Sequence, residues 1–179
     1  MALKTKRLII RGFKRSDLDD FYEYASKKGV GEMAGWKPHT SKEVSKTILE
    51  QFIDNPEVFA IELRDTGKMI GSLGLHNKPF DDDDDQYRQR ELGYVLSKDY
   101  WNQGIMSEAA RALVDFGFYT MNLDRISCAH FIDNARSEAI INKLGFTFVK
   151  YDTYYAKTLE KRFKEKKYIL YNPRKKSLR

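Results

Sequence analysis

The sequence predicts one mixed α/β (α+β) domain, with a central sheet of about seven strands flanked by about four helices. Three observations carry this expectation. The chain has 179 residues, the size of a single ordinary domain. Segments with strand periodicity are interleaved with segments of helical periodicity along it, the pattern of mixed α/β folds. No internal repeat and no Pro/Gly/Ser-rich linker divides it. A composition of 41% hydrophobic and 32% charged residues excludes collagen-like, low-complexity and wholly disordered chains. The expected domain spans residues 1–172, followed by a basic tail at 173–179.

Leu8, Ile9 and Ile10 read as the first strand, followed by polar Lys14-Arg15-Ser16. Over residues 17–27, Leu18, Phe21, Tyr22 and Ala25 recur at helical spacing, and Ser16 is the candidate N-cap. Residues 29–40 hold Gly31, Gly35, Trp36 and Pro38 and read as a loop with short helical pieces. Residues 41–53 return to helical spacing, with Val44, Ile48 and Phe52 on one side. Strands are expected over residues 58–63 and 68–75, joined by a hairpin turn at Asp65-Thr66-Gly67. Five consecutive Asp at residues 81–85 repel one another and belong in a solvated loop; a calcium loop needs alternating spacing and a Gly that this run lacks.

A fourth strand is expected over residues 90–96. Residues 104–121 give the clearest helical pattern: Met106, Ala109, Ala110, Leu113, Val114 and Gly117 line one side, and Glu108, Arg111, Asp115 and Tyr119 the other. A strand over 125–131, a short helix over 135–144 closed by Gly145, and strands over 146–152 and 167–171 complete the order.

The formal charge is +6 and unevenly placed. Residues 156–179 hold ten Lys or Arg and two Glu, against 22 basic and 24 acidic residues before them. The basic excess therefore reads as a property of the C-terminal segment rather than of the fold. One cysteine excludes an internal disulfide and a multi-Cys zinc site. Cys128 falls in a predicted core strand as a small apolar residue. His39, His76 and His130 lack ligand spacing, so no metal is expected. Residues 1–7 lack the apolar run of a signal peptide, and no run approaches the ~20 apolar residues that span a bilayer. A cytoplasmic protein without a membrane partner is expected.

One junction carries chemistry. Leu92-Gly93-Tyr94-Val95-Leu96 leads through a polar turn into Tyr100-Trp101-Asn102-Gln103-Gly104-Ile105-Met106-Ser107-Glu108-Ala109 and the long helix. The first N–H groups of a helix lack internal partners, and with the helix dipole they favour a phosphate or pyrophosphate. Gly104 lets the backbone approach such a group closely. A second junction, Asp133-Asn134-Ala135-Arg136-Ser137, opens the next helix, which ends in Asn142-Lys143-Leu144-Gly145-Phe146.

Together with Thr5-Lys6-Arg7-Leu8-Ile9-Ile10-Arg11, Asp17 and Ile70-Gly71, these segments occur in an order that resembles the GCN5-related N-acetyltransferase (GNAT) superfamily. More narrowly, the chain resembles its ribosomal-protein-alanine N-acetyltransferase (RimJ/RimL-like) branch. The resemblance runs over residues 4–171. It implies a sheet splayed between the fourth and fifth of the strands counted above. It also implies acetyl-CoA as co-substrate and no metal. The pantetheine arm would pair with the backbone of Tyr94, Val95 and Leu96. The pyrophosphate would sit on the amides of Gln103, Gly104, Ile105 and Met106, with Ser107 beside them. Asn134 and Ser137 would also contact the cofactor. Trp101 and Met106 depart from the wider superfamily pattern, which has Gln or Arg and Gly or Ala there; the departure leaves the amides in place.

The implied reaction is direct attack of a primary amine on the thioester in a ternary complex. An amine of pKa about 8–10 must first lose a proton. Glu91 is the candidate base, directly or through water. A backbone N–H at a bulge permitted by Gly93 is the candidate oxyanion donor. Ser137 is the candidate donor to the CoA sulfur, and Tyr151, Tyr154 and Tyr155 are weighed for that role against aromatic packing. Trp36, Lys37, Pro38 and His39 fall in a loop that lines the acceptor pocket in relatives. Residues 157–167 read as the loop joining the last two strands, where basic side chains beside the acceptor mouth would favour an acidic acceptor. The expected acceptor is a protein N-terminus, ribosomal or other, or a small-molecule amine. Nucleic acid is not an expected partner, and a monomer or homodimer is expected. Two other classes remain: a CoA-binding regulatory domain without catalysis, and a ribosome- or RNA-associated protein using the basic tail.

Overall fold

The computed structural model describes residues 2–81 and 86–175. Among the described residues there are eight strands: β1 (Ala2–Lys4), β2 (Leu8–Arg11), β3 (Val58–Leu63), β4 (Met69–His76), β5 (Gln89–Leu96), β6 (Arg125–Phe131), β7 (Thr147–Ala156) and β8 (Lys161–Tyr171). Four α-helices accompany them: α1 (Leu18–Ala25), α2 (Lys42–Asp54), α3 (Ile105–Tyr119) and α4 (Ala135–Leu144). The strands form one sheet in the order β1-β2-β3-β4-β5-β6-β8-β7. Neighbours are antiparallel except β5 and β6, which run parallel. No described helix is long and apolar enough to cross a membrane.

The period-2 alternation of β3 divides the core between two faces. Val58 and Ala60 pack with Phe21, Tyr24 and Leu49 of α1 and α2. Phe59 and Ile61 pack with Ala109, Ala110 and Leu113 of α3. The buried stripe of α3 runs Ile105, Met106, Ala109, Ala110, Leu113, Val114, Gly117 and Phe118, matching the helical spacing in the sequence. Ser41 caps α2, its Oγ accepting the Val44 N–H at 3.3 Å. Replacing it with Ala removes that acceptor and should lower stability by about 1 kcal/mol. Calorimetry checks this, and an unchanged melting temperature would show that water serves the Val44 amide equally well.

Several expectations are corrected. The sheet has eight strands rather than seven, because Leu3 and its neighbours pair with β2 as a short edge strand. Ser16 lies within a 3-10 turn, Arg15–Asp17, and Asp17 holds the helix entrance instead. Its carboxylate accepts the Lys14 N–H at 2.8 Å and both ends of the Arg11 guanidinium at 2.8 Å. Arg11 also reaches Glu62 at 2.5 Å, so this largely buried ion set ties β2, β3 and α1 together. On α2 the buried positions are Ser45 and Leu49, while Val44 is exposed.

The largest correction concerns the C-terminal segment. Residues 157–167 are not a loop: after a 3-10 turn (Lys157–Leu159), β8 begins at Lys161 and inserts between β6 and β7. Much of the basic excess is therefore part of the sheet. Cross-strand pairing on both sides creates this strand, which its local composition disfavours. Beyond it, Asn172 is buried and donates to the carbonyls of Phe118 and Leu123 at 3.3 and 2.8 Å, and Lys175 pairs with Asp124. Of the five-Asp run only Asp81 is described; it is exposed and pairs with Lys150. Residues 82–85 and 176–179 lie outside the described residues.

The sheet parts where β5 meets β6. Their pairing covers Gln89–Leu92 against Arg125–Cys128 and stops. On its other side β5 stays paired with β4 through Leu96, opposite Gly71. The Gly93 region therefore opens toward β6 without a bulge against β4, since Gly74↔Gly93 sits in continuous register.

Candidate active site

The parting of β5 from β6 opens a cleft of about 950 Å³. One wall is β5 itself, with Glu91, Gly93, Tyr94, Val95 and Leu96 among the lining residues. At one end the cleft runs under the start of α3, where Gly104, Ile105, Met106 and Ser107 line it. Gly104 has φ +71, a left-handed conformation that glycine adopts without steric cost. Arg136 lies 4.0 Å over the Trp101 ring, and both line this end. Gln103 does not: its side chain turns back to the Asp99 carbonyl at 2.9 Å.

Two hydroxyls face each other at the middle of the cleft. Tyr94 Oη and Ser137 Oγ are 2.7 Å apart, and Tyr94 Oη also lies 3.3 Å from the Ser137 carbonyl, to which it donates. Burial pushes the Tyr94 phenol well above its ordinary range, so it stays protonated and donates. Either hydroxyl can donate in the 2.7 Å contact, and when the Tyr94 hydrogen goes to Ser137 Oγ the Ser137 hydrogen is left for the cleft. Asn134 caps α4, its Oδ1 accepting the Ser137 N–H at 3.2 Å, and so fixes the turn that presents Ser137.

Charged groups gather at the opposite end. Glu91 Oε1 accepts from Lys78 Nζ at 2.8 Å. Glu165, on β8, is buried and lines the same space. Burial raises its carboxyl pKa; Lys78 works against that rise and Glu91 with it. Burial alone would lower the Lys78 pKa, but the paired Glu91 outweighs it and keeps the ammonium charged. His76 faces Glu91 across the β4–β5 pair, and burial lowers its pKa despite the nearby carboxylates. Two glycines make its room: a Cβ on Gly93 would stand 3.0 Å from His76 Nε2, and one on Gly74 2.8 Å from Cε1. Met33, Ala34 and Trp36, from the loop after α1, add an apolar wall, and Tyr154 of β7 lines this end.

The structure thus brings together Glu91, Tyr94, Val95, Leu96, Gly104, Ile105, Met106, Ser107, Asn134 and Ser137. Of the three tyrosines weighed as donors, Tyr154 lines the cleft and Tyr151 and Tyr155 do not. Of the loop residues, Trp36 lines it, whereas His39 is buried and bonded to Ser45 Oγ at 2.7 Å. Cys128 is buried in β6, its thiol pushed up by burial. Among the described residues of 157–167, only Glu165 reaches the lining; the basic side chains expected at the acceptor mouth do not. Sequence reasoning missed Glu165, His76, Lys78 and Arg136. For His76 a signal existed in Gly74 and Gly93, which become neighbours once the two strands are paired.

Comparison with known proteins follows the same outline. Residues 7–147 match the family described as acetyltransferase (GNAT) domain. Over 145 residues the chain is 33% identical to YnaD, an uncharacterized N-acetyltransferase of Bacillus subtilis (strain 168), covering 81% of this chain and 82% of that protein. The fold is similar to the crystal structure of a GNAT-family acetyltransferase from Bacillus anthracis, with TM-score 0.84, 24% identity, and 96% and 99% of the two chains covered. It is also similar to RimL, a ribosomal L7/L12 alpha-N-protein acetyltransferase solved in complex with coenzyme A. There the TM-score is 0.76 at 17% identity, over 96% and 98% of the chains.

Proposed function

The chain belongs to the acetyltransferase (GNAT) family, and from that premise we propose that it moves an acetyl group from acetyl-CoA to a primary amine by direct attack in a ternary complex. The observation that carries this reading is the opening of β5 from β6 beyond Leu92, ending under the start of α3. It leaves a strand edge at Tyr94–Leu96 for the amides of a pantetheine arm, and helix amides at 104–107 for a pyrophosphate. Both demands fall on backbone, which is why Trp101 and Met106 are compatible with the site. Acetyl-CoA supplies the activated acyl group when bound.

The remaining chemistry belongs to the chain. The amine enters between Gly93 and the carboxylates of Glu91 and Glu165, where two acids face one lysine and favour a cationic group. Glu91 takes the amine proton through a water, and Glu165 with its raised pKa is the nearest alternative acceptor. The Ser137 hydroxyl donates to the departing sulfur, held in place by Tyr94 and by the cap at Asn134. Ser137→Ala should lower turnover by about tenfold or less, because water can replace a hydroxyl donor. Stopped-flow thiol release checks it, and a loss beyond a hundredfold would give Ser137 a larger share of the chemistry.

The acceptor is a protein N-terminus or a small-molecule amine reaching this end of the cleft, in a cytoplasmic setting. A turnover screen of acetyl-CoA against amines and N-terminal peptides, reading free thiol, tests the reading. Amine-dependent thiol release is expected. Tight CoA binding with no acceptor turned over would instead favour a CoA-responsive regulatory domain.

A further inference from the structure

We infer that Thr5 and Arg7 are positioning residues for the acetyl donor, clamping the start of α3 so that its leading turn keeps its amides aimed into the cleft. This inference rests on the acetyl-CoA reading above. Neither residue lines the cleft; both act through others. Glu108, in the first turn of α3, accepts from Thr5 Oγ1 at 2.6 Å and from the Arg7 N–H at 2.9 Å, both at Oε1. Its Oε2 accepts from Arg7 Nε at 2.7 Å. Arg7 Nη1 then donates to the Gln103 carbonyl at 2.9 Å, inside the turn itself. One guanidinium thus ties the turn to the helix that follows it.

The turn needs such ties. Asn102 has φ 60 and Gly104 φ 71, and a non-glycine residue in the left-handed region persists where its surroundings over-determine it. The turn is bound to its own approach by Trp101 Nε1 on the Leu96 carbonyl and Gln103 Nε2 on the Asp99 carbonyl, each at 2.9 Å. Arg7 adds a tie from a distant part of the chain. Its own segment is anchored, since Arg64 N–H donates to the Arg7 carbonyl at 2.9 Å and Arg64 Nη1 to the Thr5 carbonyl at 2.8 Å.

The clamp also has an electrostatic role. A carboxylate in the first turn of α3 would repel the anion that the helix end attracts. Burial works to raise the Glu108 pKa, but the donors from Thr5 and Arg7 outweigh it and hold the carboxyl below its usual range. Glu108 is therefore an anion, and Arg7 is the charge that cancels it.

Calorimetric titration with CoA of the wild type, Arg7→Gln, Glu108→Gln and the double variant tests both roles. Arg7→Gln should weaken CoA about tenfold, the worth of one charge-assisted hydrogen bond. KM for acetyl-CoA should rise with it, while kcat at saturation stays within about twofold. The double variant should bind CoA more tightly than Arg7→Gln alone, because the charge left unbalanced has gone. If Arg7→Gln does not fold, Arg7→Lys serves, keeping the charge but losing the bridge to Gln103, and should give an intermediate affinity. A lowered melting temperature with unchanged CoA affinity would overturn the inference and leave Arg7 a structural residue. A wild type that does not bind CoA would overturn the donor reading itself, a result distinguishable from the first.

Discussion

Glu91→Gln should lower turnover by about 100- to 1,000-fold while leaving CoA affinity within about twofold, the range a positioned general base supplies. Glu91 sits at the end of the paired part of β5, where the cleft begins. Gln keeps the shape and most of the hydrogen bonding to Lys78 but cannot accept a proton. The deficit should be largest at low pH and shrink as pH approaches the amine's own pKa, where the nucleophile arrives already free. Steady-state rates across pH, with CoA affinity measured separately, check both parts. If Glu91→Gln leaves the profile unchanged and Glu165→Gln produces the loss, the proton goes to Glu165. Its burial-raised pKa suits that task, and Glu91 would then be a partner for Lys78.

Gly104→Val should weaken CoA binding by about a hundredfold or more. Two effects add. A β-branched residue at φ +71 costs on the order of 1–2 kcal/mol of backbone strain, which the protein relieves by opening the turn. On the proposed donor reading, its branched side chain would also crowd a phosphate approaching the helix amides. The folded protein itself has room, since the nearest atom to a Cβ here is Arg7 Nη2 at 3.7 Å, so the loss falls on the ligand rather than on packing. Gly104→Ala, with strain but less crowding, should show a smaller loss. Thermal protection by CoA gives an independent readout, because a ligand that binds only the folded state stabilises it by mass action. Equal affinity in Gly104→Val would take the turn out of the donor site.

What the chain revealed in advance follows the range of the forces involved. α3 was legible because its stripe from Met106 to Gly117 is a local pattern, and α4 because Asn134 and Gly145 bracket it with local hydrogen bonds. The strand-to-helix junction proposed to take the donor was legible for the same reason. Ser16 was a reasonable cap by composition, but Asp17 takes the position before α1. Its carboxylate goes to Arg11, itself paired with Glu62, and to the Lys14 N–H instead of to the helix amides. Glu165 was hidden in a run of lysines that reads as solvated, and only the pairing of β8 with β6 brings it into the cleft. Lys78 and His76 gain meaning from Glu91 and two glycines across a strand pair, and Arg7 from a glutamate about a hundred residues away. Separations of that kind leave no periodic trace.

The placement of β8 between β6 and β7 bears on how the molecule is made. A nascent chain that has emerged as far as β7 still carries β6 with an open edge, a template for unwanted pairing. β7 cannot take its final seat, because the strand that joins it to the sheet has not been synthesised. Glu165 lies on the same strand, so the end of the cleft that it lines forms only after β8 has been synthesised. Sheet completion then requires contacts far apart in sequence, the kind that slow folding. Completion of the cleft and closure of the sheet are, on this topology, one event that waits for β8.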